Sequence, residues 1–144
     1  MATHDKTGAG GTTGHPSNGR TPYLVENTID FTPFDPAAND IVQAIDVPAE
    51  SIVMNAGLEV LTASSSGVTL DMGDGDTVDI YVDGLDSTST GYSAIHQDVL
   101  STGKVYASAD TLDIKVIVAQ DTAGKVRAWA VICDISGVSE TDTN

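Results

Sequence analysis

The chain alternates apolar and polar residues in short runs. "YLVENTIDF" places Tyr23, Val25, Ile29 and Phe31 on one side and Leu24, Glu26, Thr28 and Asp30 on the other, the period-2 pattern of a half-buried strand. "TPFDPAAN" supplies two prolines and an Asn-Asp boundary and reads as a turn. "DIVQAIDV" predicts a second strand that ends at Pro48, which has no N–H for a ladder. "SIVMNAGLEVLTA" predicts a third, with Gly57 marking a bulge or bend. "GVTLDM" turns Val68, Leu70 and Met72 inward, and "TVDIYVD" turns Val78, Ile80 and Val82 inward with Asp79, Tyr81 and Asp83 outward. The "GDGD" between them offers glycines for the positive φ angles of a hairpin loop.

Residues 85 to 103 form a long polar segment in which "SAIHQDVL" fits one short helical turn, and loops of this length are functional or disordered as a rule. "KVYASA", "TLDIKVIVA" and "KVRAWAVICDI" then predict three closing strands, the second with Leu112, Ile114, Val116 and Val118 facing in. "SGVSETDTN" reads as a fraying end. No amphipathic helix pattern appears, and about eight short strands joined by Gly, Pro, Asn and Asp turns predict an all-β fold: an antiparallel β-sandwich, jelly-roll-like. The last strand is apolar on both faces, with Val126, Ala128, Ala130 and Ile132 on one and Trp129, Val131, Cys133 and Ile135 on the other. A neighbouring subunit, the long loop or burial within the sandwich would each supply the second cover.

Residues 1 to 22 differ in texture, with no apolar side chain beyond Met1 and two alanines, and with five glycines. Such a segment cannot fold by itself, and ordering it takes contacts along much of its length, for which a partner surface is the natural source. The chain therefore divides into a Gly/Thr-rich arm (1–22), a β-sandwich domain (23–136) and a polar tail (137–144).

Charge narrows the partners. The net charge is −15, and residues 21 to 103 hold 14 Asp and Glu with no Lys or Arg. Such a surface repels phosphate backbones, so nucleic acid is not an expected partner of the body; the excess reads chiefly as solubility and repulsion between copies. No apolar run approaches the roughly 20 residues that cross a bilayer. The start "MATHDKTGAGG" carries no secretory signal, so synthesis in a cytosol is expected, and the single Cys133 excludes an internal disulfide.

Candidate chemistry is sparse. Asp71, Asp74, Asp76 and Asp79 could ligate calcium, but their spacing fits neither an EF-hand nor a repeated calcium loop, and a hairpin turn with solvated carboxylates is the stronger reading. His4 and His15 lie in the arm and His96 stands alone in the long loop, while Cys133, beside Trp129 and Val131, reads as a buried inert thiol. No nucleophile triad, phosphate loop or dinucleotide motif is present, so no enzyme, catalytic residue or cofactor is expected. Tyr81, Tyr92 and Trp129 are the candidates for a sugar-stacking platform, which core or interface packing explains equally well.

The runs "ENTIDFT", "NDIVQAIDVPAESIV", "GLEVLTA", "GDGDTVDIYVDG", "YASADTLDIKVIVA" and "GKVRAWAVICDI" together resemble small capsid decoration, or cement, proteins of tailed bacteriophages, over about residues 23 to 135. The resemblance implies a virion structural protein, made in the host cytoplasm and added to the outer capsid surface, bridging major capsid proteins, often as a homotrimer. The arm, with net charge +1, would reach up to roughly 70 Å and clamp neighbours by adding backbone to sheet edges. Lys6, His15, Arg20, Tyr92, His96 and Trp129 are the expected capsid or subunit contacts. The alternatives are a carbohydrate- or receptor-binding module on a virion, with its site on the long loop, and a tail or fibre attachment protein.

Overall fold

The period-2 alternation of the sequence becomes two facing sheets. A computed structural model describes residues 1–6, 21–64, 67–92, 103–118 and 121–136, and among them are ten strands and no helix. They are β1 (Thr3–Asp5), β2 (Tyr23–Asp30), β3 (Ile41–Val47), β4 (Ser51–Thr62), β5 (Thr69–Gly73), β6 (Val82–Asp86), β7 (Gly91–Tyr92), β8 (Lys104–Tyr106), β9 (Asp110–Ile117) and β10 (Lys125–Asp134). Sheet A runs β1-β3-β9-β5-β6; sheet B runs β2-β10-β4-β7, with β8 also on β4. All pairs are antiparallel except β1 with β3. With β1 and β8 set aside, the chain crosses between sheets in the order of a jelly roll, so the expected sandwich is the observed one.

The core lies between the sheets. Val25 and Ile29 of β2, Val126, Ala128, Ala130 and Ile132 of β10, and Leu58 and Val60 of β4 face Val42 and Ile45 of β3, Leu112, Ile114 and Val116 of β9, and Leu70 and Met72 of β5. Each large aliphatic side chain so buried contributes about 1.5–3 kcal/mol relative to exposure. Ala128 and Ala130 at the middle of β10 are buried in the same core as Leu112, Ile114 and Val116 of β9.

Several sequence expectations change at the edges of this core. The strand predicted over "TVDIYVD" is instead a turn to Tyr81 followed by β6, and Tyr81, expected outward, is fully buried. Its hydroxyl is 2.9 Å from that of Tyr106, and this tertiary partner overrides the local alternation. Gly73 and Gly75 do not take positive φ; Gly67, Gly84, Gly91 and Gly103 do. Gly73 is needed for space, since a Cβ there would run into the Thr77 carbonyl. Gly57 marks no bulge either. The register slips fall at Met54 and Leu61, which β10 skips on β4, while Gly57 lies opposite Trp129. A Cβ on Gly57 would stand 2.8 Å from the indole Cζ2, so the glycine is what lets the ring lie across the strand. Val118, expected inward, is 70% exposed at φ 71°, because the strand has already ended at Ile117.

The two glycines of the acidic turn separate the two explanations. Gly73→Ala is expected to cost about 2–3 kcal/mol, because overpacking against backbone cannot relax cheaply. Gly75→Ala, which meets nothing within 4 Å, is expected to be near neutral. Urea midpoints of the two variants check this; equal losses would restore the hairpin-glycine reading.

Candidate functional site

Three surfaces gather the residues that chemistry or recognition could use. The first is the outer face of sheet B. Strand register sets Leu24, Val131 and Asn55 in one row, Glu26, Trp129 and Gly57 in the next, and Thr28, Arg127 and Glu59 beyond. On the other side Cys133, Ile52 and Val105 line up across β10, β4 and β8. Leu24 is 52% exposed and Val105 57%, so the strip from Leu24 to Val105 carries apolar side chains to solvent. Leu24, Glu26, Glu59, Arg127 and Trp129 enclose a shallow groove of about 330 Å³. Arg127 pairs with Glu59 through its Nη2 and lies 4.0 Å from Glu26. Cys133 is half-buried rather than sealed, its Sγ 3.6 Å from the Asp134 carbonyl oxygen. On the second apolar face of β10, Trp129, Val131 and Cys133 are half-buried, between the exposed Leu24 and Val105.

The second surface is the acidic turn, where Asp76 and Asp79 are solvated as expected and Asp74 is not. Asp74 is buried with its side chain inaccessible. Its Oδ2 accepts from Lys104 Nζ at 2.5 Å and from the Tyr106 hydroxyl at 2.7 Å, and its Oδ1 accepts the backbone N–H groups of Asp76 and Thr77. Burial alone would push the Asp74 carboxyl up; the hydrogen bonds from Lys104, Tyr106, Thr77 and Asp76 outweigh it and hold the group below the usual carboxylate range. Asp74 thus ties β8 of sheet B to the β5–β6 turn of sheet A. Asp71 accepts the Gly84 N–H, and burial pushes its carboxyl up. Among the described residues no three His, Cys, Asp or Glu side chains converge as a metal site would require.

The same network shapes its neighbours. Burial pushes Tyr81 up to about 12 and Tyr106 higher still, so both stay neutral donors. Burial also pushes Asp113 up to about 6, with Asp110 and Asp74 adding to the rise against the hydrogen bond from the Thr111 hydroxyl. Asp113 is a buried carboxyl that alternates with the inward Leu112 and Ile114 of β9.

The third surface is a seat on the edge of sheet A, filled by residues 2–6. β1 runs parallel to β3, pairing Thr3 with Ile41, His4 with Val42 and Asp5 with Gln43. Asp40 Oδ1 accepts the Ala2 N–H at 2.6 Å, and its Oδ2 is 3.1 Å from His4 Nε2. Phe34 stands between the two inward arm residues, 4.8 Å from the His4 ring and 4.3 Å from Lys6 Nζ. The buried Asn27 amide donates to the Lys6 carbonyl at 2.7 Å and to that of Ala44 at 2.8 Å. His4, which the sequence places in the arm, is thus held.

Of the expected contact residues, Trp129 is at the centre of the sheet B strip and Lys6 is in the seat, on opposite sheets. Tyr92 ends β7, opposite Glu59. His15, Arg20 and His96 lie outside the described residues. Sequence reasoning missed Asn27, Phe34 and Asp40. The signal for Asn27 was present as a lone polar residue interrupting the inward series of β2.

No family model matches the chain, and no curated protein matches it in sequence. Solved structures do match. A chain of the "Capsid of Ralstonia phage GP4" superposes with TM-score 0.67 and 17% identity, over 96% of this chain and 100% of that one. A chain of the "Cyanophage Pam1 capsid asymmetric unit" gives 0.62 and 19%, over 84% and 89%. One from the "Acidic stable capsid structure of Helicobacter pylori bacteriophage KHP30" gives 0.56 and 17%, over 79% and 89%. The fold is one that phage capsids contain.

The likeness to phage structural proteins expected from strand texture thus holds at the level of the fold. The apolar strip carries Leu24 and Val105 exposed at its two ends, beside the shallow groove at Trp129.

Two carboxylates make opposite pH predictions. Asp74→Ala leaves Lys104, Tyr106 and two backbone N–H groups without their acceptor and is expected to cost about 3 kcal/mol at pH 7. Because the folded Asp74 pKa is depressed, that contribution is present above the unfolded carboxylate range and lost as pH falls through the folded value. Asp113 behaves in reverse: from about pH 4 to 6 the unfolded chain ionises first, so stability falls across this window and stays lower above it. Asp113→Asn is expected to gain up to about 2 kcal/mol at pH 7 and nothing near pH 3.5, as read by denaturant unfolding at both pH values.

Proposed function

We propose that this chain is a non-enzymatic virion structural protein of the decoration or cement kind, bound to the outer face of a phage capsid. The observation that carries the reading is the exposed apolar strip of sheet B on a fold shared with chains of three phage capsids. In this reading Trp129, Leu24 and Val131 dock on the major capsid protein or on a second copy, with Arg127 and Glu59 at the rim. An aromatic anchor within an apolar strip and a polar rim is the anatomy of a protein interface. The charge of −15 favours the outer side, since packaged DNA would repel it.

Stabilisation is then mechanical. Each copy makes a modest contact, and many copies arranged by the shell, as trimers at its local symmetry axes, add up through multivalency. The leader, with His15 and Arg20, supplies the bridge between subunits. Copies of this protein in the hundreds per particle distinguish cement from a tail or fibre component, which occurs in small numbers. A second reading is favoured by one observation: the Trp129 indole lies flat across Gly57 beside Glu59 and Arg127, as in a sugar-stacking platform.

Particles stripped of the protein and re-decorated decide between these. Trp129→Ala is expected to keep the fold, because its side chain points away from the core, and to lower particle affinity at least tenfold, about 1.4 kcal/mol or more. Unchanged occupancy, or glycan binding by free protein that Trp129→Ala abolishes, would contradict the cement reading.

A further inference from the structure

The seat for residues 2–6 is built as a recognition site for a strand. Its floor is the β3 edge, where Ile41 N–H donates to the Ala2 carbonyl at 2.8 Å and Lys6 N–H to the Gln43 carbonyl at 2.9 Å. Its walls read side chains: Asp40 and Phe34 hold His4, and Phe34 also carries Lys6 over its ring. Its far end is Asn27, which is fully buried and gives one amide hydrogen to the Lys6 carbonyl. Residues 2–6 give Asn27 and Asp40 their partners and cover an otherwise open sheet edge, while Asp40 also accepts the Ala37 N–H within the seat itself. The seat is shaped for a strand.

Nothing in those contacts specifies which copy supplies the strand. Every group of the seat belongs to residues 27–44, and every group it holds belongs to residues 2–6. Lys6 is hydrogen-bonded to Asn27, and Thr21 stands six residues before Asn27 along the run into β2, roughly 20 Å at strand rise. The connecting residues 7–20 can reach about 45 Å when extended. That reach is more than twice what closure on the same domain requires, and it exceeds the roughly 30 Å width of a domain of this size. Once two copies stand side by side, a neighbour's arm competes at an effective concentration in the millimolar range, comparable to the chain's own.

We propose that the seat is a trans strand-acceptor: residues 2–6 of one copy fill the β3 edge of a neighbouring copy, so that adjacent copies are linked by exchanged arms. This gives a bridge between copies with no loss of the seat's contacts. It needs no particle, and it stands or falls independently of the cement reading.

The test uses two full-length chains in a Cys133→Ser background, one carrying Thr3→Cys and the other, of different mass, Ile41→Cys. Thr3 and Ile41 are register partners on one face of a parallel pair, and such partners lie within the Cα separation a disulfide spans. Mixed at about 1 mM and oxidised, the chains are expected to give a covalent heterodimer amounting to a tenth or more of the total. Adding Asp40→Ala to the Ile41→Cys chain is expected to lower that yield at least tenfold. A chain carrying both cysteines that closes only on itself, with no heterodimer in the mixture, would overturn the proposal, as would a heterodimer indifferent to Asp40→Ala. Asp5→Cys with Gln43→Cys repeats the measurement at a second register pair should the first perturb folding.

Discussion

The structure depends on β10 being apolar on both faces. Its inner residues, Val126, Ala128, Ala130 and Ile132, are fully buried and lie at the centre of the inter-sheet core. Its outer residues, Trp129, Val131 and Cys133, cannot be satisfied by the same packing because the strand has only two sides and the core uses one. Flanking strands extend the outer strip through Leu24 and Ile52 instead of covering it. In the proposed reading, this half-buried apolar strip is what a partner covers.

Around this core, buried polar groups act as keys that fix the appendages. Asp74 joins β8 to the turn between β5 and β6, and Asn27 with Asp40 holds β1 to β3. Each key is costly to bury alone and inexpensive once its partners arrive, so each makes one local arrangement preferable to its alternatives. At Asp113 the balance goes the other way: the Thr111 hydroxyl donates to it, yet burial pushes its carboxyl up to about 6. The molecule is therefore not simply an acidic surface around a greasy centre; some of its carboxylates hold elements together.

The parts legible in the sequence were those fixed by period-2 alternation. β2, β9 and β10 follow from it, as does the two-faced apolarity of the last strand, because a strand's side chains alternate whatever surrounds it; β3 alternates less cleanly, and its register slips between Gln43 and Ile45. The failures came where a distant residue overrides the local pattern. Tyr81 is buried because Tyr106 awaits it 25 residues away, and Asp74 leaves solvent because Lys104 and Tyr106 lie across the sandwich. Gly57 could be flagged as special, but only the register with Trp129 says why. The seat for residues 2–6 was announced only by Asn27, a polar residue on an apolar face, whose partner on the arm is 21 positions back.

The central claim is that the outer face of sheet B is an attachment surface. A difference map between particle reconstructions with and without this protein tests it most directly. The account predicts added density on the outside of the shell, oriented with Trp129 and Leu24 against a protein neighbour and sheet A turned towards solvent. Density that places the Trp129 face in open solvent, with sheet A or the acidic turn at the contact, would contradict it.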